Sequence, residues 1–215
     1  MGKTKIIACE MLRPEVEYLV SELGLNNEII WIEPALHVTP QLLKERLQEV
    51  LDSFANTDCQ RVLMPFGDCG GAVAGLKSGN FELVIPKVDD CLTLMLGSLK
   101  KRQELSMEMP TFYLTLGWIT QEKNIIADYH NMVKNYGQET ADMLKETMFG
   151  NYNRVALIDT GVGDSNALLS YGKPLKEIFG FNEYPVKGTT EYLKRLLTGP
   201  WSSDLFRIIP PFGCA

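Results

Sequence analysis

Cysteine and histidine side chains stand at four places where a predicted β-strand has just ended. In strand order these residues are Cys9, His37, Cys69 and Cys91. Ligands of open parallel sheets bind outside the carboxyl ends of the strands, so side chains at these positions can converge in one crevice. Thiolates and neutral imidazole are the ligands that zinc prefers, and thiolates also hold iron–sulfur clusters. The pattern therefore predicts a metal site built from these four residues, with zinc or an iron–sulfur cluster as cofactor.

The same cysteines also have a purely structural interpretation, because cysteine is a small apolar residue that commonly fills a core at strand ends. Single ligands on separate strands differ from the paired C-x-x-C knuckles of zinc fingers, so the fold itself must bring them together. His37 is the weakest member, since it lies four residues past its strand. We expect Glu10, Asp68 or Asp90 to replace it if its loop does not fold back.

The glycine-rich run Gly67–Gly71 is predicted to turn from the third strand into a short helix. Such a turn presents backbone N–H groups to an anion, which makes Asp68, Gly70 and Gly71 candidates for substrate binding. The run lacks the P-loop and dinucleotide-binding patterns, which argues against a nucleotide. A helix N-terminus would also lower the pKa of Cys69 and make it a nucleophile. A plain tight turn is the structural alternative.

The second half of the chain supplies further candidates for substrate binding. Asp159 ends the apolar run RVALID, where a carboxylate can ligate, act as a base or cap the next helix. We expect Asp159 and the Gly161–Asp164 loop to face the same crevice as Cys69. Three more candidates lie in the β-rich run TFYLTLGWI; they are Thr115, Gly117 and Trp118. Trp118 is expected to be a core residue or a pocket wall rather than a chemical group.

Two of the five cysteines and one histidine are left out of the predicted site. Cys59 precedes its strand and therefore belongs at the opposite edge of the sheet. Cys214 is next to the last residue, and His130 lies in a charged helical stretch.

The elements that must position these residues alternate between strand and helix. The predicted strands of the first hundred residues are Lys5–Cys9, Glu28–Glu33, Arg61–Phe66 and Phe81–Pro86. This alternation predicts an α/β fold with a doubly wound, mostly parallel sheet and helices on both faces. After residue 100 we expect strands at 111–119, 154–159 and 205–209, a long helix at 125–148, and helices around 165–179 and 189–197. The length fits a single α/β domain over 1–215, with a two-lobed arrangement of 1–110 and 111–215 as the alternative.

Composition narrows the classes of function and partner. The 215 residues are 45% hydrophobic and 22% charged, with a net charge of −6. An acidic chain without a basic stripe is not expected to bind nucleic acid. The apolar run Ile6–Cys9 is too short for a signal peptide, and no stretch approaches the roughly 20 apolar residues of a membrane helix. We therefore expect a cytoplasmic protein that does not bind membranes, whose five cysteines stay reduced.

Several motifs together resemble one protein family. The runs GDCGG, LVIPKVDDCLTLMLGS and TFYLTLGWI are the most specific, and IIACEML, LIDTG and LLTGPW fit as well. In these motifs the chain resembles the domain of unknown function 1638 family of bacteria and archaea. The resemblance places Cys9, His37, Cys69 and Cys91 on family motif positions. Family members often carry histidine before the last of these cysteines, where this chain has Asp90, so Asp90 replaces that histidine or its role is lost.

The resemblance also implies a metabolic setting. Members of this family occur beside corrinoid-dependent methyltransferase systems in anaerobes, which implies a corrinoid as an alternative ligand and a corrinoid or methyltransferase protein as a partner.

Three functional hypotheses follow. In the first, zinc bound by three thiolates activates a substrate thiol for methyl transfer, or an iron–sulfur cluster carries electrons or a substrate. In the second, the loops form a pocket for a small molecule or a corrinoid without turnover. In the third, Cys69 and Cys91 are the paired thiols of a cysteine-dependent racemase or lyase.

Overall fold

The computed structural model of the protein describes residues 3–121 and 124–215. Strands alternate with helices through most of this part of the chain. The strands are β1 (Lys3–Cys9), β2 (Glu28–Ile32), β3 (Cys59–Leu63), β4 (Glu82–Pro86), β5 (Thr111–Thr115), β6 (Arg154–Asp159), β7 (Asn182–Lys187) and β8 (Phe206–Ile209). The fold is therefore of the predicted α/β class.

The helices connect these strands. They are α1 (Arg13–Glu22), α2 (Pro40–Ser53), α3 (Cys91–Leu96), α4 (Leu99–Glu108), α5 (Leu116–Ile119), α6 (Ile125–Tyr136), α7 (Gln138–Phe149), α8 (Ser165–Ser170), α9 (Gly172–Phe179) and α10 (Glu191–Thr198). Two short 3-10 helices, Glu10–Leu12 and Pro34–Val38, follow β1 and β2. Of the helices in the described residues, none combines the length and the apolar character that crossing a bilayer requires.

The chain divides into two compact units. Residues 3–99 and 189–215 form the first unit, and residues 100–188 form the second. The first unit contains a five-stranded sheet in the order β2-β1-β3-β4-β8. Its first four strands in sequence are parallel, as predicted, and β8 pairs antiparallel with β4.

Continuous apolar runs explain why this sheet forms. The centre of β1 (Ile6, Ile7 and Ala8) is fully buried, which is typical of a parallel strand covered on both faces. Helix α2 packs an apolar stripe against the sheet, with Leu43, Leu47 and Leu51 in its core. These buried contacts fix the strands whose ends carry the candidate cysteines.

The second unit contains a three-stranded parallel sheet in the order β5-β6-β7. Its own core includes Leu114, Val155, Leu157 and Phe181. The guanidinium of Arg154, at the start of β6, is buried and donates to the Thr111 hydroxyl at 2.7 Å. The strands therefore belong to two sheets, whereas the alternation pattern alone had suggested one.

Three local predictions were wrong. The Gly67–Gly71 turn is present, but no helix follows it, since residues 69–75 form consecutive turns. The helix expected over 125–148 is two helices, because Gly137 interrupts it with a φ of 80°. The strand predicted over Thr111–Ile119 ends at Thr115, where α5 begins.

Strand β7 was not predicted from the sequence. Val186 alone of its six residues is buried, so the strand shows neither an apolar run nor a clean alternation. It also contains Pro185, which sheets tolerate at an edge, and β7 is an edge strand.

Candidate functional site

Three of the predicted ligands follow adjacent strands of the first sheet. Cys9 is the last residue of β1, Cys69 lies in the loop after β3, and Cys91 is the first residue of α3 after β4. Strands β1, β3 and β4 are neighbours and run parallel, so their carboxyl ends lie at one edge of the sheet. All three cysteines are free thiols and partly buried. Cys9 and Cys69 pack against the same core.

Backbone hydrogen bonds join the loops that follow β3 and β4. The N–H of Asp68 donates to the carbonyl of Val88 at 2.8 Å, and the N–H of Cys69 donates to that of Asp89 at 2.9 Å. A Cβ atom on Gly67 would lie 2.4 Å from the Cα of Asp90. Only glycine at position 67 permits this close approach, and the approach holds Cys69 beside the segment that leads into Cys91.

Cys69 has an unusual backbone conformation. Its φ of 46° lies in the left-handed region, and Gly70 and Gly71 follow with φ values of 73° and 89°. A non-glycine residue rarely adopts positive φ, and residues held in such conformations cluster at functional sites. Gly70 also packs close to the start of α2, because a Cβ there would lie 2.9 Å from the Cγ of Pro40.

The environment of the three thiols favours their protonated form. Burial raises the pKa of Cys9 to about 11, and the carboxylate of Glu10 adds to this rise. Burial raises the pKa of Cys69 to about 12, with further increases from Cys9 and Asp90. Burial also raises the pKa of Cys91 well above its ordinary value, and Cys9 and Cys69 raise it further. Ionisation of Cys9 thus disfavours ionisation of Cys69, and ionisation of either one disfavours that of Cys91.

This protonation contradicts the prediction that Cys69 is activated at a helix N-terminus. No helix follows the Gly67–Gly71 turn, so no helix dipole lowers the pKa of Cys69. Desolvation of the thiolate is the larger effect, and it opposes ionisation.

Two carboxylates near the thiols, those of Asp90 and Glu10, have structural partners of their own. Asp90 caps α3, because its Oδ1 accepts the N–H of Thr93 at 2.9 Å. Glu10 forms an ion pair with Arg13 at 2.9 Å. The carbonyl oxygen of Asp68 accepts the N–H of Gly71 at 3.0 Å, which closes the turn around Cys69.

His37 is exposed on the 3-10 helix Pro34–Val38, and its Nδ1 contacts the carbonyl of Pro34. Leu36 on the same helix packs against the core that also contacts Cys9 and Cys69. Pro40, three residues after His37, lies close to Gly70, so the chain that follows His37 approaches the loop that carries Cys69.

The donor types fit a thiophilic metal, but the side chains are not preassembled for one. Within residues 3–121 and 124–215, no group of three or more cysteine, histidine, aspartate or glutamate side chains is already placed to hold a metal ion. Coordination would require rotation of side chains and loss of the thiol protons. Clustering around a metal thus stays a prediction.

The alkylation rates of Cys9 and Cys69 in metal-free protein should rise about tenfold per pH unit between roughly pH 7 and 10, because only the thiolate reacts and both pKa values lie above this range. Iodoacetamide labelling followed by peptide mass spectrometry measures each rate. Glutathione is the control, since the alkylation rate of a free thiol levels off near its pKa of about 8.5 to 9. A Cys69 rate that levels off near pH 9 would contradict the buried, mutually destabilised thiolates.

The second unit places Asp159 and Gly161 at a cleft beyond the carboxyl ends of β6 and β7. The Oδ1 of Asp159 accepts the N–H of Gly161 at 2.8 Å, and its carbonyl accepts the N–H of Gly188 at 2.6 Å. The cleft has a volume of about 360 Å³. Its remaining lining residues are Thr160, Leu169, Pro185, Val186, Lys187 and Gly188. The expectation that the Asp159 loop shares a crevice with Cys69 stays a prediction.

Thr115, Gly117 and Trp118 follow β5 in the same unit. Thr115 is fully buried, and its hydroxyl oxygen has no hydrogen-bond partner among the described residues. Gly117 and Trp118 lie in α5, and Trp118 packs against the core of this unit, which agrees with its interpretation as a core residue.

Sequence reasoning missed the cleft residues contributed by β7, above all Lys187. They could not be proposed because the strand itself was not predicted. One feature of the sequence could have indicated this strand. Gly188 directly follows a short segment that contains Tyr184 and Val186, just as Gly161 follows shortly after the strand that ends at Asp159.

Comparison with models of protein families gives a match over most of the chain. A family model described as "Protein of unknown function (DUF1638)" matches residues 31–197, a region that includes His37, Cys69 and Cys91 and begins after Cys9. No curated protein and no solved structure matches the chain significantly.

Proposed function

We propose that this chain, which belongs to the DUF1638 family, binds one zinc ion through the thiolates of Cys9, Cys69 and Cys91. The observation that supports this proposal is the placement of the three thiols after β1, β3 and β4, which are adjacent parallel strands. Ligands of such sheets bind at this edge. Three thiolates form a donor set that zinc favours.

Zinc would compensate for the cost of ionising these thiols. In the free protein, burial and mutual repulsion keep them protonated. A divalent cation replaces the protons and reverses the local electrostatics, because each thiolate then faces a positive charge. The same raised pKa values work against a racemase or lyase that needs a free thiolate at neutral pH.

The fourth position is proposed for His37 or for a substrate. His37 lies on a neighbouring segment and would have to exchange its contact with the Pro34 carbonyl for the metal. If the position stays open, zinc supplies Lewis-acid chemistry that lowers the pKa of a bound substrate thiol. That chemistry suits alkyl transfer, and the corrinoid and methyltransferase partners belong to this part of the proposal.

A reducing compartment is part of the proposal. All five cysteines are free, and a three-thiolate site requires that they stay reduced. We therefore place the protein in the cytoplasm.

Titration of the reduced protein with zinc against a chromophoric chelator tests the proposal. We expect one zinc per chain with a dissociation constant of about 10⁻⁸ M or tighter, in the range of thiolate zinc sites. About three protons should leave per zinc bound at pH 7, since all three thiols start protonated. Calorimetry in buffers of different ionisation enthalpy counts the protons. Zinc affinity weaker than about 10⁻⁵ M, or no proton release, would contradict the proposal.

A further inference from the structure

The second unit contains an open cleft with a largely apolar lining. It opens beyond the carboxyl ends of β6 and β7, which is where ligands bind parallel sheets. Its volume of about 360 Å³ lies at the small end of the range for ligand pockets, so a metabolite-sized molecule fits. Leu169, Pro185 and Val186 give it an apolar wall.

The cleft presents one negative and one positive side chain next to each other. Asp159 and Lys187 are the last residues of their strands and are direct partners in the parallel register. Register partners on neighbouring strands point to the same face and lie about 4.8 Å apart at the backbone. Both residues line the cleft.

These two charges do not pair with each other. Among the described residues, no ion pair or hydrogen bond engages the Lys187 ammonium. The Asp159 carboxylate accepts the Gly161 N–H through Oδ1, and Oδ2 is left for another partner. A carboxylate and an ammonium group on register partners, not paired with each other, match a ligand that carries one positive and one negative charge.

We propose that this cleft binds a zwitterionic amino acid with an aliphatic side chain. The ligand ammonium pairs with Asp159, the ligand carboxylate pairs with Lys187, and the aliphatic group packs on Leu169, Pro185 and Val186. All of its lining residues belong to residues 100–188, and none of them is a proposed zinc ligand.

The backbone around Asp159 holds the anionic half of the site in place. The carboxylate is fixed by the Gly161 N–H, and the carbonyl of the same residue accepts the N–H of Gly188. Gly161 has a φ of 77°, which glycine adopts without strain. This preorganisation reduces the ordering cost of binding.

Isothermal titration calorimetry of the full chain tests the proposal, with L-leucine and L-valine as probes and with EDTA present so that zinc plays no part. We expect saturable binding of at least one amino acid with a dissociation constant of about 10 µM to 1 mM. The singly charged analogues 4-methylpentanoate and 3-methylbutylamine should bind at least about tenfold more weakly, because each leaves one protein charge without a partner.

Two variants and two matched controls complete the test. Asp159→Asn and Lys187→Met should each weaken amino acid binding about 10- to 100-fold. Asp128→Asn and Lys176→Met remove exposed charges of the same unit that do not line the cleft, and should leave binding unchanged. The proposal is overturned if neither amino acid binds at about 10 mM, if a singly charged analogue binds as well as its amino acid, or if both cleft variants bind like wild type.

Discussion

Replacing Cys69 with serine should weaken zinc binding by at least about 100-fold. Loss of an outer-shell group typically costs about 10- to 100-fold in metal affinity, so loss of a direct thiolate ligand should cost at least that much. Serine preserves the size of the side chain but supplies no thiolate at neutral pH. Cys9→Ser and Cys91→Ser should have the same effect, and chelator competition measures all three affinities.

Cys59→Ser is the matched control. Cys59 is also a buried thiol of the first sheet, but it lies at the amino end of β3, away from the edge that carries the other three. The zinc affinity of the Cys59→Ser variant should equal that of the wild-type protein. Equal zinc affinity in the Cys69 and Cys59 variants would show that Cys69 is only a core residue.

Replacing Gly67 with alanine should both destabilise the protein and weaken zinc binding. The new Cβ would lie 2.4 to 2.6 Å from the N, Cα and C atoms of Asp90, and backbone atoms cannot move aside alone. The loops after β3 and β4 must therefore separate, which moves Cys69 away from Cys91. We expect a loss of about 2–4 kcal/mol of unfolding free energy, as for severe overpacking.

Gly24→Ala is the matched control, because it replaces a glycine by alanine without a steric clash. Gly24 has a φ of 63° and open space around its Cβ position, so alanine there costs about 1 kcal/mol of backbone strain. Urea denaturation gives both stabilities, and zinc affinity should fall only in the Gly67 variant. If zinc affinity is unchanged in the Gly67 variant, the contact between the two loops does not position the thiols.

Most strands of the first unit could be predicted from the sequence. Its strands are short apolar runs whose length and flanking turns identify them, and four of them alternate with helical patterns. The division into two sheets did not follow, because strand pairing depends on contacts between distant residues. Strand β8 was predicted, but its antiparallel pairing with β4 was not.

The placement of the three thiols at one edge of the sheet could be predicted from the sequence, whereas the direction of their pKa shifts could not. Strand-exit positions identified Cys9, Cys69 and Cys91 because parallel strands end at one edge. The direction of the pKa shift of Cys69 could not be predicted, since it depends on burial and on the absence of a helix after Gly71. Lys187 could not be predicted as a cleft residue either, because its strand has only one buried residue and so shows no strand pattern in the sequence.

Metal analysis with an absorption spectrum on protein purified without air tests the zinc proposal most directly. The proposal predicts about one zinc per chain, no visible absorption, and loss of the metal in the Cys69→Ser variant but not in the Cys59→Ser variant. Bound iron together with visible thiolate-to-iron absorption would show that the three thiols hold an iron–sulfur cluster and not zinc. Protein that holds no metal and takes up none on addition would contradict the metal site, and the three cysteines would then be core residues.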